Sequence, residues 1–141
     1  LAPGYGDPAE FHISDCKTQR NLNEEGRDQA RSIGIKLKMK GVLFNEIYSS
    51  EWCRCLETAT LMDLGEITIF SGLNSFFQDH YDRKETLHKL MKKLEDLNKK
   101  NRILMVTHQV VISSVTGINV GSGVAVAYST TDGSAIKIST P

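Results

Sequence analysis

Two hydrophobic periods alternate along this chain. From about Asn23 to Lys40, Ala30, Ile33 and Leu37 recur at helical spacing among charged residues, which predicts an amphipathic helix. Asn23 is placed to cap it. Glu24 and Glu25 suit the positive end of its dipole, Lys36, Lys38 and Lys40 suit the other end, and Gly41 stops it. A second amphipathic helix follows Asp82. Asp82 with Glu85 three positions later is a capping-box pattern, and Leu87, Leu90, Met91, Leu94 and Leu97 mark the buried face. Lys89, Lys92, Lys93 and Lys99 lie largely off that face. They could hold an anion, but a solvated surface is the plainer reading.

Short apolar runs bounded by turn residues lie between and after these helices. Glu46–Ser49, Ile67–Phe70 and Ile103–Thr107 read as strands, and the last is apolar enough to be covered on both faces. Trp52–Leu64 reads as a helix with Leu56, Thr60 and Leu64 among its inner positions, ended by Gly65. His108 opens a short helix to about Thr116. Val124–Tyr128 and Ala135–Ile138 are strands joined through Thr131-Asp132-Gly133, a hairpin signal. Residues 1–21, with Gly4, Gly6 and Pro8 as breakers, read as an extended surface loop, and Asn74–Tyr81 as irregular. Strands alternating with helices imply an α/β fold with a mostly parallel sheet and an antiparallel last pair at its edge.

The length of 141 residues fits one domain. Lys+Arg and Asp+Glu both number 17, so there is no net field to draw in nucleic acid or an anionic membrane. No apolar run approaches the roughly 20 residues that span a bilayer. Cys16, Cys53 and Cys55 are either free thiols or include a bridge from Cys16 to Cys53 or Cys55, which would imply an oxidising compartment. Their spacing suits no zinc site, and neither a metal nor a cofactor is expected.

Two strand-to-helix junctions carry candidate chemistry. Ser49-Ser50-Glu51-Trp52-Cys53-Arg54 follows one apolar run, and Val106-Thr107-His108 ends another. If these strands are parallel neighbours, Arg54 and His108 converge beyond the strand ends, where open α/β sheets bind ligands. Arg54 beside a helix N-terminus would cradle phosphate, with Ser49 and Ser50 as further donors. Alternatively it pairs with Glu51 or Glu57 on its own helix, the reading that local sequence favours. His108 could stabilise phosphate, move a proton or bind metal, or it could be a core histidine bonded to backbone. His12, His80 and His88 have no comparable setting, and Gly121-x-Gly123 indicates no more than a turn.

Three blocks resemble the histidine phosphatase superfamily, the phosphoglycerate-mutase-like proteins. Leu22-Asn23-Glu24-Glu25-Gly26-Arg27-Asp28-Gln29-Ala30 is similar to the family's L-(T/S)-x-x-G-x-x-Q-A helix. The run from Ser49 to Ala59 is similar to its S-S-x-x-x-R-(A/C)-x-(E/Q)-T-A block, and Val106-Thr107-His108 to its V-x-H block. The resemblance implies a three-layer α/β/α sandwich and a phosphomonoester hydrolase working through a phosphohistidine intermediate on a small phosphate ester or other phosphorylated substrate. It makes Arg54 a phosphate ligand and His108 the second active-site histidine. The cysteine pattern resembles exported bacterial members, implying the periplasm, with the cytoplasm as the alternative.

Two departures qualify this expectation. The family's first strand ends in R-H-(G/A), and no Arg-His pair occurs in the sequence. Leu1-Ala2-Pro3-Gly4 resembles the stretch just after it, so the strand and its nucleophile are expected upstream of Leu1, and these 141 residues by themselves are expected to be inactive and poorly stable. The alternative is a non-catalytic phosphate-binding or interaction domain on the same scaffold. Many relatives also carry L-x-E at the proton-donor position, where this chain has Leu73-Asn74-Ser75. Asp79 is then the nearest candidate for the acid, and plain hydrolysis of substrates with good leaving groups is expected over mutase chemistry.

Overall fold

The computed structural model describes residues 2–138. In chain order the elements are α1 (Glu24–Met39), β1 (Glu46–Ser49), α2 (Cys53–Met62), β2 (Ile67–Ile69), α3 (Arg83–Asp96), β3 (Ile103–Val106), α4 (Gln109–Thr116), β4 (Ala125–Tyr128) and β5 (Ala135–Ile138). Single 3₁₀ turns lie at Cys16–Thr18, Ser71–Leu73 and Phe77–Asp79. The caps follow the sequence. The Asn23 side chain accepts from the Gly26 amide, and Asp82 accepts from the Glu85 amide. Each satisfies one of the donors a helix start leaves open.

β1 is the centre of a three-stranded parallel sheet in the order β2-β1-β3. Tyr48 is opposite Thr68 on one side and Met105 on the other, and Ser49 is opposite Val106. This register sets the ends of β1 and β3 level, so the chain leaves both strands at one edge. Tyr48 packs into the main core with Leu73, Phe76, Leu90, Leu94 and Val111, which brings α3 and α4 against its face. α2 contacts β1 and β3, and α1 packs outside α2. The result is a helix–sheet–helix layering.

The α1–α2 contact is built on small residues. Gly26, Ala30 and Gly34 are buried on α1, and Cys55, Thr58, Ala59 and Met62 on α2. A Cβ on Gly34 would collide with the Met62 carbonyl, so the backbones approach too closely for alanine. The inner face of α2 is therefore not the expected Leu56, Thr60 and Leu64, which are half-buried or exposed. On α3, Leu90 and Leu94 are buried as expected, but Met91 is exposed and Thr86 is buried in its stead. Lys93 is not solvated off that face. Its ammonium sits 4.6 Å from the Tyr48 ring centroid, a cation–π contact.

Two strand expectations change. β4 and β5 pair antiparallel as predicted, but as a separate two-stranded sheet and not at the edge of the parallel one. β3 is apolar throughout but only half-buried along its length. It lies at the sheet edge, and among the described residues no strand pairs with its outer side.

The N-terminal segment is anchored more firmly than a surface loop. A disulfide joins Cys16 to Cys53, and Cys55 is a free, buried thiol. Gln19 is buried; its Oε1 accepts from the Cys53 amide, and its Nε2 donates to the carbonyls of His12 and Ile13. The bridge closes a loop with a sequence separation of 37. Cys16→Ser is expected to cost about 3–4 kcal/mol of stability by loop-closure entropy. Denaturant titration of oxidised protein against the variant checks it, and a loss under about 1 kcal/mol would mean that the polar anchors suffice.

Candidate active site

Arg54 leaves the first turn of α2 and His108 caps the start of α4. Because β1 and β3 end level, the two side chains meet, with Arg54 Nη2 3.4 Å from His108 Nδ1. Arg54 does not pair with Glu51 or Glu57, as local spacing suggests. Glu57 is taken by Arg27 across the α1–α2 contact. Arg54 Nη1 donates to Asp7 Oδ1 at 2.8 Å, with side-chain exposures of 12% for Arg54 and 4% for Asp7. This is a buried ion pair drawn from positions 47 apart.

Asp7 is the organising residue that sequence reasoning missed. Its Oδ1 also accepts from the Arg20 amide at 2.9 Å, and its Oδ2 from the Trp52 indole at 3.1 Å. Burial alone would raise its carboxyl pKa. The Arg20 amide, the Arg54 guanidinium and the Trp52 indole together hold it below the usual range. Arg20 spends its Nε and Nη1 donors on the carbonyls of Gly6, Ala2, Pro3 and Gly4, tying the N-terminal segment around the carboxylate. The one signal in the sequence is an aspartate between two glycine breakers and a proline, and it carries no period. Gly4 and Gly6 both have positive φ, 84° and 67°, which supplies the turns that carry Asp7 inward.

His108 is buried. Its Nε2 lies 2.9 Å from Ser50 Oγ, and the Trp52 ring meets it edge-on at 5.0 Å between centroids. Burial first, then the Arg54 charge, pushes its pKa down to about 3, so the imidazole is neutral at ordinary pH. Cys55 Sγ is 3.7 Å from Nε2. Burial pushes that thiol up to about 12, which makes it an unreactive core group.

Ser49 and Ser50 are fully buried and donate inward, to the Ser50 carbonyl and to Asn74 Oδ1, not into the cleft. The amides before Arg54 are also occupied. Asn74 takes that of Glu51, Ser50 that of Trp52, and Gln19 that of Cys53. The phosphate cradle expected from this helix start thus reduces to the guanidinium. The cleft lined by Arg54 and His108 has a volume of about 190 Å³, and Asp7, Arg20, Ser75 and the Val120–Val124 segment are also in its walls.

Asp79 is not brought to the cleft. It is exposed, in a turn with φ 56°, and the carboxylate that does line the cleft is Asp7. Ser75 stands in the cleft wall, its Oγ accepting from the Phe77 amide. His12 and His88 are exposed. His80 packs against Phe11 and Trp52, 4.2 and 6.1 Å between ring centroids, and its buried Nε2 has no hydrogen-bond partner. Gly121 and Gly123 form a turn, as expected, and sit in the cleft wall. No group of three or more metal-ligating side chains occurs among the described residues.

The profile of the Histidine phosphatase superfamily (branch 1) matches residues 14–76. No curated protein matches the chain. Among solved structures, the protein histidine phosphatase SixA complexed with tungstate is similar at 17% identity and TM-score 0.56, over 94% of this chain and 89% of that one. Phosphoglycerate mutase from Plasmodium falciparum is similar at 18% identity and TM-score 0.56, over 83% of each chain. A phosphoserine phosphatase mutant from Entamoeba histolytica in complex with phosphoserine is similar at 18% identity and TM-score 0.54, over 84% and 83%. These likenesses establish a phosphoglycerate-mutase-like α/β fold.

Removing the carboxylate by Asp7→Ala strands a buried guanidinium, an indole N–H and an amide. A loss of about 3–5 kcal/mol is expected, read by denaturant unfolding, and a loss within about 0.5 kcal/mol would show the pair to be incidental. Acid should also destabilise the fold in two stages. Below about pH 6.5 the unfolded His108 takes a proton that the folded one refuses down to about 3, so stability falls with pH across that window. Below the ordinary carboxylate range Asp7 adds a loss of the same sign, completed as pH passes its depressed folded value. His108→Gln should flatten the first stage in a thermal-unfolding series. An equal slope in both proteins would contradict this assignment.

Proposed function

We propose, for a chain that belongs to the histidine phosphatase superfamily, that the Arg54–His108 cleft binds the phosphoryl group of a phosphomonoester during hydrolysis. The observation that carries this reading is the meeting of Arg54 and His108 at 3.4 Å in one cleft. Arg54 lines the cleft with Nη2 beside His108 while Asp7 holds Nη1, so the guanidinium arrives oriented. Fixed cationic donors around a transferring phosphoryl group stabilise its charge without reorganising.

In this reading a nucleophilic histidine attacks phosphorus, the ester P–O bond breaks, and the leaving group departs with its electron pair. Water then attacks the phosphohistidine and releases inorganic phosphate. His108 is the one histidine that lines the cleft, so the nucleophile comes from another segment. The outer side of β3, half-buried despite its apolar run, suits an added strand, and we place the Arg-His pair on such a strand upstream of Leu1.

Leaving-group protonation limits the substrate. Asp7, the carboxylate that lines the cleft, is held ionised by its three donors, and Ser75 has no acidic proton near neutral pH. Substrates whose leaving groups are stable unprotonated, such as aryl phosphates, are therefore favoured over alkyl esters and over mutase chemistry. The Cys16–Cys53 bridge supports a periplasmic setting in a bacterial cell, since such bonds persist in oxidising compartments.

The test is hydrolysis of an aryl phosphate by protein extended upstream through its reading frame. Arg54→Ala and His108→Ala are each expected to lower kcat/KM by about 10²–10⁴-fold. Undiminished turnover in both variants would defeat the assignment. Vanadate protection of the 141-residue chain in a thermal melt without turnover by the extended protein would favour a phosphate-binding module.

A further inference from the structure

The direction of every hydrogen bond behind His108 is set by its partners. A guanidinium only donates, so Nδ1, 3.4 Å from Arg54 Nη2, is the acceptor. A neutral imidazole then carries its proton on Nε2, which donates to Ser50 Oγ at 2.9 Å. Ser50 Oγ also accepts from the Trp52 amide at 3.2 Å. With both lone pairs engaged, its hydroxyl proton goes to Asn74 Oδ1 at 3.3 Å.

Asn74 Oδ1 accepts from the Glu51 amide as well, and Asn74 Nδ2 donates to Glu51 Oε2. Rotating the amide of Asn74 would set its NH₂ against the Glu51 N–H and its oxygen against a carboxylate. Ser50 and Asn74 are completely buried, so water cannot rescue a reversed arrangement. Neither residue lines the cleft.

We propose that Ser50 and Asn74 are positioning residues that lock His108 as the Nε2–H tautomer and hold its Nδ1 lone pair toward the oxyanion site. The mechanism is a one-way chain from Glu51 through Asn74 and Ser50 to the ring. The inference rests on the phosphoryl-binding reading for its functional meaning and on the chain alone for its geometry. A lone pair beside Arg54 accepts a proton, so the site takes a phosphate monoester with one proton between a phosphoryl oxygen and Nδ1. The charged or titratable groups around the ring are Arg54, Arg20, Asp7 and Cys55, and none supplies that proton. Asp7 is ionised, the Cys55 thiol is weakly acidic, and the guanidiniums stay charged.

Nitrogen-15 NMR of the ring of His108 in the 141-residue protein, assigned by loss of its signals in His108→Gln, reads the tautomer directly. At pH 7.5 a protonated Nε2 and an unprotonated Nδ1 are expected. In Arg54→Ala, which removes the fixed donor beside Nδ1, the Nε2–H ring is expected to persist, and adding Ser50→Ala should give a mixture of tautomers; Asn74→Ala should weaken the Nε2–H bond and speed its exchange with water. A purely structural role would move stability but not these signals. An Nδ1–H ring in the unmodified protein overturns the inference even if no variant folds, as does an unchanged tautomer when Ser50→Ala is added to Arg54→Ala. Calorimetry with phenyl phosphate at pH 8 in two buffers, where the monoester is mostly dianion, should show uptake of about one proton. Binding without uptake also overturns the inference. The Nε2–H signature with no binding, both in the 141-residue protein and in protein extended upstream through its reading frame, supports the lock and sinks the phosphoryl-site reading instead, so the two failures are told apart.

Discussion

A buried carboxylate fixes where the guanidinium can be. Asp7 collects the Arg54 side chain, the Trp52 indole and the Arg20 amide on two oxygens. Each donor belongs to a different part of the site: the start of α2, the ring that packs against His108, and the segment that closes the cleft. An isolated buried charge costs several kcal/mol, and a paired one recovers that cost only when its remaining donors and acceptors are met. Here the carboxylate is met by three donors, and the arrangement therefore resists alternatives. The disulfide one residue before Arg54 and the Gln19 bonds to the same turn hold the loop from the other side.

Periodic elements were legible because their signals are local. Asn23 and Asp82 cap the helices predicted for them, and β1 and β5 span the residues expected. The meeting of Arg54 and His108 was legible too, since it needs only two adjacent parallel strands of matched length. What failed was non-local. Glu57 is three residues from Arg54, the spacing that pairs charges on an isolated helix, but Arg27 from α1 takes it. Asp79 is the carboxylate nearest in sequence to the expected acid position, but the left-handed turn there leaves it in solvent. Asp7 had no periodic context at all, because a loop residue's burial is decided by what folds over it.

β3 shows a different kind of gap. Ile103-Leu104-Met105-Val106 reads as a strand covered on both faces, and the structure leaves it half-buried at an edge. β1, no more apolar, is largely buried because it has a partner on each side. Composition records the environment a strand suits, and its neighbours decide the environment it has. An apolar edge strand is an unsatisfied pairing surface, so an added strand of the kind proposed would suit the outer side of β3 better than that of β2, whose Thr68 and Ile69 are exposed.

Charge in the cleft completes the chemical picture. Arg54 and Arg20 contribute two positive charges, Asp7 one negative and neutral His108 none, so the described wall carries one net positive charge. A phosphate dianion entering it would remain half-compensated in a site partly shielded from water, where such an imbalance is costly. Two remedies are available on this scaffold. One is a further cation from the strand proposed beside β3, where an Arg-His pair would supply it. The other is a proton on Nδ1, which turns the imidazole into a cation once the anion is present to stabilise it. The two are complementary, because the low pKa of His108 is set by burial and by Arg54, and an anion seated between those groups opposes both causes.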